Sequence, residues 1–154
     1  TNKDILRMNN IQKILLNMKT EQSLKDDYRK KYIIADYYIK SLKHVLKKKF
    51  IIIPGLYSEF NIDYYKKIST FNQIPVLCNE RDNLLKYLIS NDIDIAEQHI
   101  RNLTSLKIYK SYICEIKKNS EIVSKSLFLL PCYPNYNLNN ARRISSLINN
   151  YFLN

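Results

Sequence analysis

The stretch from Phe71 to Ala96 constrains the fold most, because it predicts a strand, a helix and a second strand in immediate succession. Asn79 follows a mostly apolar run, where a helix N-cap is wanted, and Asp82 three residues later completes a pattern that resembles a capping box. Asn91 and Asp92 are predicted to end the helix, since both tolerate a left-handed backbone. The predicted buried stripe of this helix is Leu84, Leu85, Leu88 and Ile89. The unit offers no catalytic side chain, so we interpret it as structural.

Two details of this unit bear on the sheet. Pro75 lies inside the first strand and has no N–H to donate, so that strand is predicted to lie at a sheet edge or to carry a bulge. Ile93 and Ile95 are separated by a polar residue, and this alternation is typical of a half-buried strand.

Helices and short strands are predicted on both sides of the unit. Helical spacing of apolar residues predicts helices at residues 4–18, about 24–46, 119–127 and from Leu138 onward, the last capped by Asn137. The long helix is predicted to bury Leu24, Tyr28, Tyr32, Ala35, Ile39, Leu42 and Leu46. The helix before the last is predicted to turn Ile122, Val123 and Leu127 inward. Short apolar strands are predicted at 50–53 and 128–130, and residues 103–112 are predicted to form a loop or short helix.

These elements predict an α+β fold in a single domain of residues 1–154. A small sheet of three to four strands is expected to pack with a long N-terminal helix and a C-terminal helix. Apolar residues make up 45% of the chain and charged residues 25%, which is ordinary for a globular protein. No segment approaches the ~20 apolar residues of a membrane span, so we expect no membrane association.

The cysteine and glycine content excludes several kinds of site. Cys78, Cys114 and Cys132 are far apart and form no CxxC pair. They are therefore expected to be buried free thiols in a cytoplasmic protein, without a disulfide framework or a zinc site. Gly55 is the only glycine, which excludes a phosphate-binding loop of the G-x-G-x-x-G kind.

The formal net charge of +11 raises the alternative of a basic binding module for nucleic acid or another polyanion. The excess is local, because residues 25–49 carry nine Lys or Arg against three Asp. A solvated helix face explains this run, and His44 within it is expected to face solvent. Nucleic acid is therefore not the expected partner.

Three segments follow one another in an informative order. They are Arg7-Met8-Asn9-Asn10-Ile11-Gln12, then residues 80–88, then residues 126–134, which contain Leu-Leu-Pro-Cys-Tyr-Pro. Their order and spacing resemble the C-terminal third of the pyridoxal-phosphate sugar aminotransferases of the DegT/StrS type. The resemblance covers nearly all of the chain. It implies the small α/β domain that packs against a large cofactor domain, and amino transfer from an amino acid such as glutamate to a keto sugar on a nucleotide.

The resemblance also implies that part of the chemistry lies elsewhere. The family's Schiff-base lysine belongs to the large domain, upstream of anything present in this chain. Ile5 stands where the family has an asparagine that reaches the cofactor phosphate. Pyridoxal phosphate is thus expected for the complete family enzyme, while this chain alone is expected to bind no cofactor and to be inactive. Residues 1–20 are interpreted as the end of the missing large domain or as a docking helix.

The resemblance places a substrate-contacting turn shortly after the helix of the central unit. His99 and Arg101 are the candidate substrate-binding residues, because a guanidinium matches the oxygens of a nucleotide diphosphate. For each of them, an ordinary loop residue without a binding role is the alternative, and it is the interpretation that the residues alone favour. Aligned on Leu103 and Tyr109, a second family histidine falls on Thr104, whereas alignment on His99 leaves a one-residue gap. No catalytic or metal-ligating residue is predicted.

Several partners remain open at this point. The chain is a fragment, half of a split enzyme with a separately encoded large domain, or a decayed remnant, and a homodimer is also compatible. An assembled protein is expected to bind a sugar nucleotide. In a split enzyme, an apolar face formed by Ile5, Leu6, Ile11 and Leu15 would be the docking surface.

Overall fold

A computed structural model describes residues 21–55, 71–95, 102–103, 106–112 and 118–153. The elements are α1 (Glu21–Ser41), α2 (Lys43–Lys47), β1 (Ile51–Ile52), β2 (Gln73–Cys78), α3 (Arg81–Ser90), a 3₁₀ helix (Lys107–Tyr112), α4 (Lys118–Ser126), β3 (Leu127–Pro131) and α5 (Leu138–Leu153). The three strands form one antiparallel sheet in the order β1-β2-β3. The predicted α+β class is confirmed. The helix predicted at residues 4–18 lies outside the described residues.

The long N-terminal helix is shorter than predicted. It ends at Ser41, and Leu42 separates it from α2. The Ser41 hydroxyl donates to the Tyr38 carbonyl oxygen at 3.2 Å, a local bond that competes with the helical pattern at this point. Ala35 and Leu42 are fully buried as predicted, whereas Leu24 is 53% exposed. Other members of the buried side of α1 and α2 are Ile34, Tyr38 and Val45.

Pro75 lies in the central strand of the sheet and not in an edge strand, which corrects one of the two predicted alternatives. β1 pairs only with Leu77 and Cys78, so among the described residues β3 is the only strand beside Pro75. Pro75 faces Leu129 of β3. In an antiparallel pair, every second residue needs no ladder bond to its partner. A proline is therefore compatible with this position of β2.

The start of α3 differs from the predicted capping box at Asn79. Glu80 occupies the N-cap position and makes no side-chain cap bond. Its carboxylate instead accepts a hydrogen bond from the Tyr151 hydroxyl at 3.1 Å. Asp82 is bound by the neighbouring Arg81, whose Nε lies 2.8 Å from its Oδ1. The capping prediction was wrong because Glu80 is bound by Tyr151 of α5 and Asp82 is bound by Arg81, and neither carboxylate caps the helix.

Two further predictions fail for individual side chains. Ile122 of α4 is 48% exposed, although it was predicted to point inward. Leu127 is buried, as predicted, but it is the first residue of β3 and not the end of α4. Ile93 and Ile95 are both buried while Asp94 is exposed, so their alternation is confirmed, but residues 93–95 form no strand. The predicted cap of α5 is confirmed, since the Asn139 N–H donates to Asn137 Oδ1 at 2.8 Å.

One hydrophobic core joins the described elements. Its fully buried side chains come from α1, α3, the sheet and α5, and the largest include Tyr38, Phe128, Leu42, Leu88 and Ile148. Every side chain on one face of the sheet belongs to this core, which α1 and α5 cover. None of the helices in the described ranges is long and apolar enough to cross a membrane.

Cys78 and Cys132 are buried free thiols, as predicted, whereas Cys114 lies outside the described residues. The Cys132 thiol donates to the Lys31 carbonyl oxygen at 3.1 Å. Burial raises the pKa of Cys132 to about 12, since a thiolate would lose its hydration there. It also raises the pKa of Cys78. Both groups are therefore inert thiols in the folded protein.

We expect the free energy of unfolding to fall as the pH rises above the ordinary thiol pKa. In that range the unfolded Cys132 ionises, while the folded thiol keeps its proton until the pH approaches about 12. Between about pH 8 and about pH 10 the contribution of Cys132 is a loss of about 2 kcal/mol. Urea unfolding of wild type and Cys132→Ala at both pH values measures it. A pH-dependent loss of equal size in both proteins would contradict the raised pKa.

Candidate functional site

The described chain reaches the predicted substrate turn but does not include it. His99 and Arg101 lie outside the described residues, as does Thr104. The described residues nearest to this turn in sequence are those that lead from α3 to Ile95.

A Schellman motif ends α3. The Ile93 N–H donates to the Leu88 carbonyl oxygen and the Asp92 N–H to the Ile89 carbonyl oxygen, both at 3.0 Å. Asp92 has a φ of 58°, so the predicted left-handed residue at the helix end is confirmed. Ile93 is buried beside Leu88, which is the apolar contact that usually accompanies this motif. The chain thus leaves the helix in one defined direction.

Arg143 of α5 fixes the same segment from the other side. Its guanidinium donates to the Asn91 carbonyl oxygen, and its Nη2 lies 3.8 Å from Asp92 Oδ2. The charge pair is exposed and contributes little by itself. The carbonyl bond satisfies a helix-end acceptor and connects the end of α3 to α5. Ile93 and Ile95 beside this bond are both buried, so the segment up to residue 95 is held by packing as well as by hydrogen bonds.

We expect Asp92→Gly to raise the free energy of unfolding by about 0.5–1 kcal/mol. Glycine adopts a positive φ without the steric cost that aspartate carries at this position, and this gain exceeds the entropy that glycine adds to the unfolded chain. Urea unfolding measures the difference. Asp94→Gly is the matched control, since Asp94 is exposed and its φ is not positive. It should destabilise the protein slightly. A loss of stability in Asp92→Gly would contradict the Schellman assignment.

Buried polar groups between α1 and α5 are structural. The Asn149 amide donates to the Ser41 carbonyl oxygen at 3.0 Å and joins the two helices. The Tyr38 hydroxyl is fully buried, and burial together with nearby Tyr136 raises the pKa of Tyr38 well above its ordinary value. It therefore stays protonated and cannot serve as a general base. Within the described ranges, the hydroxyl of Ser145 has no hydrogen-bond partner.

The described residues do not fit pyridoxal phosphate. A site for this cofactor needs a protected lysine and hydrogen-bond donors for the phosphate. Each lysine whose side chain the structure describes is exposed, except Lys31, which is partly buried and donates to Asn72 Oδ1. The start of α3 carries Glu80 and Asp82, and their charges disfavour a phosphate there. No group of three His, Cys, Asp or Glu among the described residues is placed to hold a metal ion.

The basic run on α1 and α2 is an exposed surface. His44 is exposed, as predicted, and Lys40 pairs with Asp36 of the preceding turn at 2.7 Å. Lys48 lies over the ring of Phe50, with its Nζ 5.9 Å from the ring centre. These contacts belong to ordinary solvated helix faces, and none of them favours a polyanion site.

Comparison with known proteins supplies the wider context. No protein-family model matches the chain, and no curated protein matches it either. Solved structures do match. An aminotransferase of the DegT DnrJ EryC1 StrS type from Brucella abortus superposes with a TM-score of 0.68 and 22% identity over 94% of this chain and 36% of its own. The S. venezuelae protein DesV, solved in complex with a ketimine intermediate, matches with a TM-score of 0.73 and 16% identity over 94% of this chain.

This chain has the fold of part of a DegT/StrS-type aminotransferase. The predicted resemblance is thus confirmed at the level of the fold. The Bacillus subtilis protein NtdA, solved with bound cofactor PMP, matches 83% of this chain at 17% identity and a TM-score of 0.68. The chain spans only 36% to 37% of the length of the first two structures and 29% of NtdA. Most of each of these three proteins therefore lies beyond the part that this chain resembles.

Sequence reasoning missed two arginines that connect α3 to neighbouring helices. Arg81 joins the start of α3 to α4, and Arg143 joins the end of α3 to α5. An arginine in the first turn of a helix, where the dipole disfavours cations, was a usable signal for Arg81. Arg143 is one of two adjacent arginines in α5, and nothing local distinguishes it from Arg142.

Proposed function

We propose that this chain is the small domain of a sugar-nucleotide aminotransferase and acts only together with a cofactor domain. The observation that supports the proposal is the match of 94% of this chain to 37% of DesV. The similarity covers almost all of this chain but only a minority of DesV, so this chain corresponds to one part of a longer protein. The described residues do not fit pyridoxal phosphate, which is consistent with a cofactor held by other polypeptide. When bound there, the cofactor supplies the electron sink for amino transfer.

The proposed reaction class moves an amino group from an amino acid to a keto sugar carried on a nucleotide. DesV was solved with a ketimine intermediate and NtdA with PMP, and both states belong to amino-transfer chemistry. These facts concern the neighbours, and we extend them to this chain as a proposal. The isolated chain, on this view, is inactive.

Within this function, the role of the chain's own residues is to position substrate. The Schellman motif at Asp92 and the bond from Arg143 hold the described segment that precedes His99 and Arg101 in sequence. Arg101 would pair with the diphosphate of the sugar nucleotide, and His99 would contact the sugar at the mouth of the site. Neither residue is assigned a proton-transfer step.

The test combines the purified chain with the cofactor domain encoded by the same genome, joined in one polypeptide or separate. With pyridoxal phosphate, glutamate and a keto sugar nucleotide, we expect turnover from the assembled protein and none from the isolated chain. Arg101→Ala should raise KM at least about tenfold through loss of a charged hydrogen bond, whereas Arg142→Ala should not. Turnover by the isolated chain, or none by the assembly, would contradict the proposal.

A further inference from the structure

The outer face of the sheet, opposite the core, is unusually apolar. Cross-strand partners lie on the same face, so the pairs Ile52–Leu77, Leu77–Leu127 and Pro75–Leu129 all belong to it. Gln73 is the one polar side chain at an outer-face position of the described strands. The members of the outer face are Ile52, Gln73, Pro75, Leu77, Leu127, Leu129 and Pro131.

Much of this apolar surface keeps contact with solvent. Ile52 is 50% exposed, and Pro75, Leu77, Leu129 and Pro131 are partly exposed, whereas Leu127 at the α4 end of β3 is buried. The core face contrasts sharply, since its cross-strand pair Val76 and Phe128 is fully buried. An antiparallel sheet with one solvated face normally alternates apolar and polar residues. This sheet therefore has the composition of one that is covered on both faces.

We propose that the outer face is the surface on which the cofactor domain docks. This inference rests on the proposed function and adds the surface through which this chain would contact the cofactor domain. The lengths of the structural neighbours favour this occupant over others. In the DegT/StrS-type neighbours the shared fold is part of a chain nearly three times as long, so a second body of polypeptide accompanies it.

The outer face predicts a definite thiol-labelling pattern. Ile52→Cys is placed in a Cys114→Ser background, where Cys78 and Cys132 are buried. Ile89→Cys is the matched control, since Ile89 is 57% exposed on α3 and belongs to a different surface. In the isolated chain both new thiols should react with a maleimide at similar rates. In the assembled protein we expect the Ile52→Cys thiol to react about tenfold or more slowly, with Ile89→Cys unchanged.

Other outcomes overturn the inference in distinguishable ways. If the assembled protein transfers amino groups but both thiols still react equally fast, the outer face is not the docking surface, although the proposed function stands. If protection of Ile52→Cys occurs in the isolated chain and grows with its concentration, the occupant is a second copy. If no cofactor domain assembles with the chain, the proposed function fails together with the inference.

Discussion

Phe128→Ala should lower the free energy of unfolding by about 4 kcal/mol, the largest effect that we expect from a single substitution. Phe128 is fully buried and lies opposite Val76 in the centre of the sheet. Alanine would remove the contacts of the whole ring, and the surrounding α1, α5 and sheet residues could close the cavity only in part. Urea unfolding followed by circular dichroism measures the loss.

The neighbouring residue is a matched control for this prediction. Leu129 follows Phe128 in β3 but lies on the outer face and is only partly buried. In the isolated chain, Leu129→Ala should cost about 1 kcal/mol, because less apolar area is lost from a site already in contact with water. Equal losses for the two substitutions would show that the register or the assignment of the faces is wrong.

Arg81→Ala should lower the free energy of unfolding by about 3 kcal/mol. The Arg81 side chain is 10% exposed, and its Nη1 donates to the Ser124 carbonyl oxygen at 2.7 Å and to that of Leu127 at 3.4 Å. Alanine would leave these carbonyls without a donor, exactly where α4 passes into β3. Arg81→Lys should recover part of the loss, since an ammonium cannot span both acceptors in the same way.

Arg142→Ala is the control for the arginine prediction. Arg142 is exposed on α5, makes a long bond of 3.3 Å to Asn139 Oδ1 and has its guanidinium carbon 6.0 Å from the centre of the Tyr37 ring. Its loss should cost about 0.5 kcal/mol or less. If Arg81→Ala lowered the free energy of unfolding no more than Arg142→Ala does, the connection between α3 and α4 would not stabilise the fold.

Local sequence patterns were sufficient to predict much of the fold. The strand at 73–78, the α3 helix with its left-handed end at Asp92 and the Asn137 cap all depend on interactions within a few residues, and all were predicted. Burial in α1 was predicted in part, because helical spacing defines a face but not where along the helix the core ends. Leu24 therefore has the right spacing and is nonetheless exposed.

The failures have tertiary causes. The cap at Asn79 was wrong because Tyr151 of α5 binds Glu80, and because Arg81, which is itself held by the Ser124 and Leu127 carbonyls, binds Asp82. Residues 93–95 have the alternation of a strand but lack a pairing partner among the described residues. For the site, sequence reasoning supplied His99 and Arg101, which the described residues neither support nor contradict. Arg143 acts across 52 positions of sequence and could not be identified from local spacing.

The proposal that the cofactor domain, and not this chain, holds pyridoxal phosphate is tested by locating the cofactor in the assembled protein. Borohydride reduction in the presence of pyridoxal phosphate, followed by peptide mass spectrometry, identifies the lysine to which the cofactor is bonded. We predict a phosphopyridoxyl group on a lysine of the cofactor domain and none on any lysine of this chain. A stoichiometric phosphopyridoxyl group on a lysine within residues 1–154 would contradict the account.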